Sequence, residues 1–229
     1  MRRLPVVSTL ITFIAVVIMF ALGIWQLQRA EQKNQRLASI EQMQDATAIG
    51  LADVLSNIND MVDVPIQFDA SPELTQYFLL DNKIHQGRVG YQVLVPLETK
   101  QGTLIANFGW VAATDSRAIL PEVRLASTQQ TYLGLVSFPS KNIMVTETAE
   151  LDGKWPKVLQ QVDLNVMQQH YRKPLLPFVV KLTEVPNSGF VREWQPVVMA
   201  PEKHIAYAVQ WFLLALAAVI IFFIAQRKK

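Results

Sequence analysis

The sequence predicts a membrane protein of the α+β class, in which two terminal transmembrane helices flank one mainly antiparallel-β domain with short helices. Two long uncharged runs, residues 4–28 and 205–226, lie at the two ends of the chain. Between them, apolar and polar residues alternate in several segments, which is the period of a half-buried strand. Charged residues make up only 17% of the chain, below the roughly 25% of soluble proteins, as two apolar spans require.

The two uncharged runs are each long enough to cross a bilayer. At about 1.5 Å per residue, 22 to 25 residues cover a hydrocarbon core of about 30 Å as a helix. The alternative for the first run is a signal peptide, but the run is longer than the usual h-region of about 7 to 15 residues, and no small-x-small cleavage site follows it. We therefore expect an uncleaved helix.

Charges outside the two helices predict the topology. Five cations lie there: Arg2, Arg3, Arg227, Lys228 and Lys229. The positive-inside rule then places both termini in the cytoplasm and the middle of the chain in the periplasm. Arg29, Lys33 and Arg36 oppose this orientation, but long translocated segments follow the rule weakly. The N-terminal sequence lacks an Arg- and Ser-rich transit peptide, which favours a bacterial inner membrane.

The middle of the chain, residues 29–203, is expected to form one periplasmic domain between helical segments 1–28 and 204–229, because no linker or repeat divides it. Without the five terminal cations, 16 basic residues face 19 acidic ones, a net charge of −3. This charge does not fit a nucleic-acid partner. The chain has no cysteine, which excludes disulfides and thiol catalysis.

The elements of this domain follow from local patterns. The first helix is expected to continue past Arg29, and a short helix is expected within residues 45–55. Strands are expected from Val64, over a hairpin at residues 91–111 with its turn at 98–102, and in 129–138 and 177–182. Pro96 marks an edge or a bulge in the hairpin. Asp163 is a suitable N-cap for a helix over residues 164–171.

Common motifs of hydrolytic, nucleotide and dinucleotide chemistry do not occur in the sequence, so we expect no enzyme. His85 lies in a polar, glycine-containing loop and His170 at the end of a predicted helix. We expect both to be surface histidines.

His204 has a different setting, at the start of the second span. Pro201 and Glu202 suit a first helical turn, so the imidazole lies near the positive end of the helix, where protonation is disfavoured. A neutral imidazole can bind a metal. Tyr207 and Trp211 follow at i+3 and i+7 and share a face with His204. The alternative is an aromatic belt at the membrane interface, without any ligand.

The end of the first span meets the start of the second at the same membrane level. Trp25 and Arg29 are i, i+4 neighbours there, and Gly23 permits close approach of another helix. Together the two helix ends suit a flat, partly apolar ligand with acid groups, and haem fits that description. Helix packing by Gly23 and contact of Arg29 with lipid headgroups explain the same residues without a ligand.

Five segments in this order resemble the SURF1 family: GIWQLQR, GRVGYQVLVPL, TLIANFGWV, WPKVLQQVDL and HIAYAVQWF. The first-helix block Gly-x-Trp-Gln-x-x-Arg and the second-helix block His-x-x-Tyr-Ala-x-x-Trp are specific as a pair, and the resemblance covers nearly the whole chain.

The resemblance implies a non-enzymatic assembly factor for haem-copper cytochrome c oxidase that handles haem a. It implies the oxidase catalytic subunit and membrane lipid as partners, with haem A synthase as a candidate haem-delivering partner. His204 matches the proposed haem-iron ligand, and Tyr207, Trp211, Trp25 and Arg29 are the candidate haem-binding residues that surround it. The alternatives are a haem-independent scaffold for oxidase subunits and, more distantly, a two-span sensor.

The remaining residues of the matching blocks are expected to have structural roles. They are Gly23, Gln26, Gly90, Tyr91, Asn107, Gly109 and Trp110. Glycine at position 90 suggests a backbone approach that a Cβ would obstruct. One departure from the family pattern is Phe108, where arginine is common.

Overall fold

The computed structural model describes residues 6–44, 47–58, 61–116, 118–126, 128–151, 153–184, 189–194 and 199–227. The chain divides into two compact units. The helical unit is Met1–Gln42 with Gln195–Lys229, and the β unit is Met43–Trp194. Four of the five cations behind the topology prediction, Arg2, Arg3, Lys228 and Lys229, lie outside the described residues.

The helical unit contains α4 (Pro201–Arg227) and all but the last two residues of α1 (Val6–Gln44). Both are long and apolar enough to span a membrane, and the most apolar stretch of each has a mean hydropathy of 2.6. Only 6% of this stretch in α1 and 11% in α4 is buried by protein. A core helix of a soluble protein would be mostly buried, so lipid is the fitting environment for these side chains.

The expected continuation of the first helix past Arg29 is confirmed, because α1 extends to Gln44. A helix of 39 residues is about 58 Å long, well beyond the thickness of the hydrocarbon core. The point where each helix leaves the membrane, and hence the boundaries 1–28, 29–203 and 204–229, stay predictions.

Helices α1 and α4 run antiparallel and pack through small residues. Gly23 of α1 lies against Phe212 of α4, and a Cβ at position 23 would lie 2.5 Å from the Cε1 atom of that ring. Ala208 and Ala215 of α4 are buried. Small residues permit close approach of membrane helices, which lack a hydrophobic driving force for association.

The β unit begins with β1 and α2 and continues through seven further strands and one helix of the described residues. Its elements are β1 (Ile49–Gly50), α2 (Leu51–Ser56), β2 (Pro65–Pro72), β3 (Phe78–His85), β4 (Arg88–Thr99), β5 (Gly102–Ala112), β6 (Gln130–Ser137), β7 (Lys157–Leu159), α3 (Leu164–Tyr171) and β8 (Leu175–Glu184).

The sheet has the strand order β1-β2-β6-β8-β5-β4-β3-β7. Because the end of β4 also pairs with the end of β2, strands β2, β6, β8, β5 and β4 close on themselves as a small barrel. The pairs β1–β2, β5–β8 and β3–β7 are parallel, and the other pairs are antiparallel. The expected mainly antiparallel α+β architecture is confirmed.

Two apolar clusters occupy the two faces of the sheet. Alternate residues of β4 such as Val93 and Val95 join the larger cluster, which includes Tyr132 and Phe178. Leu94 points to the opposite face, where a smaller cluster packs beneath α3. Because side chains alternate along a strand, successive residues of β4 contribute to the two clusters in turn.

Most local predictions agree with the structure. The hairpin forms from β4 and β5, and α3 begins after Asp163, whose carboxylate accepts hydrogen bonds from the N–H groups of Asn165 and Val166. The short helix expected within 45–55 is observed as α2, from Leu51 to Ser56, because Ile49 and Gly50 pair with β2; residues 45 and 46 lie outside the described residues. The hairpin bulge lies between Val93 and Leu94 rather than at Pro96.

Candidate functional site

His204 of α4 pairs with Gln26 of α1. The Nδ1 atom of His204 lies 2.7 Å from the Oε1 atom of Gln26, a short hydrogen bond between two helices whose partners are 178 positions apart in sequence. Both side chains are half-buried. A carboxamide oxygen only accepts hydrogen bonds, so this contact requires a proton on Nδ1, and in the neutral form of the ring the lone pair is then on Nε2.

The start of α4 agrees with the sequence expectation. Pro201 is its first residue, and Glu202 supplies an acidic group in the first turn. His204 therefore lies in the first turn, at the positive end of the helix dipole.

Trp25 and Arg29 contact each other on α1. Their i, i+4 spacing puts them on one face of the helix, beside the face that carries Gln26. The guanidinium carbon of Arg29 lies 5.5 Å from the centre of the Trp25 ring, and its Nη1 atom donates to Gln32 at 3.0 Å. Both side chains are exposed. A stacked guanidinium on an exposed indole presents a flat apolar surface next to a cation.

Tyr207 and Trp211 share a face of α4 with His204 but differ in burial. Tyr207 is exposed, whereas Trp211 is half-buried. The structure thus places His204 in hydrogen-bond contact with Gln26, whereas the rings of Trp25 and Tyr207 are exposed. Within the described part of the chain, the five predicted haem-binding residues all lie in the helical unit.

The site offers His204 as a single imidazole donor. In the portions of the chain that the structure describes, no group of three or more His, Cys, Asp or Glu side chains is placed to hold a bare metal ion. A single imidazole is enough for haem, whose macrocycle occupies the four equatorial positions of the iron. The chemistry of this donor is compatible with a haem group.

The residues of the β unit that match the family pattern make contacts within the β4–β5 hairpin. The side chain of Asn107 accepts from the N–H of Gly109 and donates to Gln92, both at 3.1 Å. Gly109 has φ of +122°, and a Cβ there would lie 2.6 Å from the carbonyl oxygen of Val191. These contacts support the bulge at Phe108, which shifts the register of β5 against β4.

Gly90 and Trp110 form a second contact in the same hairpin. The indole N–H of Trp110 donates to the carbonyl oxygen of Lys83 at 2.8 Å, so the ring crosses over Gly90 toward β3. A Cβ at Gly90 would meet this ring at 2.6 Å. Tyr91, the next residue, is buried in the larger apolar cluster.

Phe108 explains the departure from the family pattern. Its ring is fully buried and makes edge contacts with Tyr132 and Phe190. An arginine at this position would place an unpaired charge in the apolar cluster. The Nε atom of Arg192 instead donates to the carbonyl oxygen of Phe108 at 2.8 Å.

The expectation for His170 is wrong. This histidine is buried, and burial lowers its pKa, an effect to which the nearby charge of Lys157 adds and which Glu147 opposes. The ring faces the sheet because it lies three residues after Met167, on the face that packs against the smaller cluster. His85 is partly covered by Trp110, with a ring-centre distance of 5.1 Å.

Sequence reasoning missed the contact of Gln26 with His204. Gln26 follows Gly23 by three positions, so both lie on one face of α1. A glutamine on the packing face of an apolar helix is a signal for an interhelical hydrogen bond. That signal does not identify its partner on a helix distant in sequence.

Comparisons with known proteins agree with this architecture. The model of the SURF1 family matches residues 13–216. A SURF1-like protein of Rickettsia felis is 23% identical over 96% of this chain and 97% of its own length. A SURF1-like protein of Dictyostelium discoideum is 24% identical over 94% of this chain and 95% of its own length. Since the family match includes the paired ends of both helices as well as the whole β unit, the chain belongs to the SURF1 family.

Proposed function

We propose that this protein assists assembly of haem-copper cytochrome c oxidase by holding haem a at the paired ends of α1 and α4. The proposed location is a bacterial inner membrane, with both termini in the cytoplasm and the β unit in the periplasm. Haem a is bound transiently and passed to the oxidase catalytic subunit. The protein performs no chemical conversion.

The observation that carries the proposal is the state of His204. Its Nδ1 atom contacts Gln26, which leaves Nε2 as the ring nitrogen that can bind a metal. A His side chain with one nitrogen hydrogen-bonded and the other open is the usual arrangement of a metal-binding histidine. Haem a, when bound, supplies the iron that this nitrogen would ligate.

The surrounding side chains suit the rest of such a ligand. Trp25 and Tyr207 are exposed aromatic residues, which offer apolar surface to a macrocycle. Arg29 is exposed beside Trp25, where its guanidinium can pair with a propionate. These residues bind and orient the group, and the surrounding lipid excludes water from it.

The proposed partners follow from this role. The oxidase catalytic subunit receives haem a, and haem A synthase is the candidate source. The β unit supplies the surface for docking outside the membrane. The second candidate is a scaffold that steadies oxidase subunits without binding haem, in which case His204 anchors α4 at the membrane interface.

The cellular test is the haem a content of cytochrome c oxidase in a strain that lacks this protein. We expect wild-type protein to restore the haem a content of the purified oxidase, and the His204→Ala variant to restore less than a tenth of it. The physical reason is that loss of a single axial donor removes the iron–protein bond. The measurement is the reduced haem a absorbance per catalytic subunit.

The control is Lys203→Ala, a truncation of an exposed neighbour in the same helical turn. It is expected to restore wild-type haem a content. A His204→Ala variant that is present in the membrane at normal levels and restores full haem a content would contradict the haem-holding role and favour the scaffold.

A further inference from the structure

Gln26 occupies an unusual position for a glutamine. It lies in the apolar part of α1, where a polar side chain is costly unless a partner satisfies it. Its Oε1 atom meets the Nδ1 atom of His204 at 2.7 Å, within the range of strong hydrogen bonds. The side chain therefore has a specific partner on the other helix.

The contact selects one form of the imidazole. A neutral histidine carries its proton on Nδ1 or on Nε2, and the hydrogen bond made by one nitrogen decides which. Since the oxygen of Gln26 accepts, the proton lies on Nδ1. The Nε2 atom is then the only ring nitrogen with a lone pair, and the geometry of the ring directs it away from Gln26.

The helix packing holds Gln26 in place. Gly23, one turn earlier on the same face, lies against Phe212, and Phe20 lies 5.1 Å from the same ring between ring centres. These contacts set how far α1 slides along α4. The position of Gln26 opposite His204 is thus supported by two neighbouring contacts across the same helix pair.

We propose that Gln26 is the positioning residue of His204: it fixes the Nδ1–H tautomer and the ring orientation that present Nε2 to haem iron. This inference rests on the proposed function, because the iron is the group that Nε2 would meet. Partners of this kind raise the basicity of a metal-binding histidine, and their loss costs about 10- to 100-fold in metal affinity.

The first arm of the test needs no haem. The chain contains three histidines, so ¹⁵N-histidine labelling of the full chain in detergent, near pH 8, gives a small set of ring signals that His204→Ala assigns by difference. We expect His204 to have its proton on Nδ1. In Gln26→Leu the preference for the Nδ1–H tautomer should be lost. The control is Gln28→Leu, which replaces an exposed glutamine on the same helix and should leave the tautomer unchanged.

The second arm uses haem a as the probe. We expect Gln26→Leu to bind it about tenfold more weakly than wild type. Gln26→Glu retains an acceptor oxygen, so it should restore the affinity and lower the midpoint potential of the bound iron, because a carboxylate makes the imidazole a stronger donor. A glutamine with only a helix-packing role would change neither the tautomer nor the potential.

The two arms separate the inference from the proposed function. An Nε2–H tautomer in the wild-type protein, or a Gln26→Leu variant with unchanged tautomer and affinity, would overturn the positioning role. Haem binding that depends on His204 in that same experiment would leave the proposed function intact. Conversely, the tautomer of His204 could depend on Gln26 while haem a binding is unchanged in His204→Ala. That result would overturn the proposed function but leave the hydrogen bond between Gln26 and His204 in place.

Discussion

Substitution of Gly90 by alanine is expected to lower the free energy of unfolding of the β unit by about 3 kcal/mol. The added methyl group would lie 2.1 Å from the carbonyl oxygen of Val111 and 2.6 Å from the ring of Trp110. Neither neighbour can move at small cost. Val111 belongs to the paired strand β5, and Trp110 is held by its bond to Lys83 and by two backbone bonds to Val191.

The matched control is Gly87→Ala in the turn between β3 and β4. Gly87 has φ of +77° with no atom near its missing Cβ, so alanine there meets only the cost of the left-handed conformation, about 1 kcal/mol. Urea unfolding of the full chain in mild detergent, followed by near-ultraviolet circular dichroism, measures both. If Gly90→Ala lowers the free energy of unfolding no more than Gly87→Ala does, the close contact of Gly90 with the neighbouring strand is contradicted.

Lys157→Met is expected to destabilise the β unit by a similar amount, about 3 kcal/mol. The ammonium group of Lys157 is buried and donates to the carbonyl oxygens of Glu150, Leu151 and Gly153. Methionine keeps the length of the side chain but provides no donor. The three oxygens then lose a charged partner, and hydrogen bonds to charged groups are worth about 1.5–3 kcal/mol each before the loop relaxes.

Lys154→Met provides the comparison, because Lys154 is exposed in the same loop. We expect its effect to stay within about 0.5 kcal/mol. Thermal unfolding of the two variants in the same detergent gives the difference directly. Equal stability of both variants would mean that Lys157 does not organise this loop.

Local patterns predicted the elements of this protein well. The uncharged runs, the alternation in β4 and β5, and the N-cap Asp163 each depend on residues close together in the chain. The closure of the barrel depends on two residue pairs between β2 and β4, Ser71 with Glu98 and Pro72 with Leu97. Strand alternation does not encode such a distant pairing, so the sequence predicts the mainly antiparallel sheet but not its closure into a barrel.

The candidate site likewise combines features that local sequence predicts with contacts between distant residues that it does not predict. The helical position of His204 followed from Pro201 and Glu202, whereas its partner Gln26 lies on the other helix. His170 was misjudged because its burial depends on how α3 packs against the sheet. The i+3 relation to Met167 is visible in the sequence, but a histidine at a helix end is usually solvated, which favours the surface expectation.

The central claim is that His204 holds haem a, and a direct titration tests it. Purified full-length protein in detergent is titrated with haem a while the Soret band is recorded, for wild type, His204→Ala and His85→Ala. We predict saturable binding by wild type and by His85→Ala, and loss of saturable binding in His204→Ala. Saturable binding by His204→Ala with wild-type affinity, or no binding by the wild-type protein, would contradict the claim.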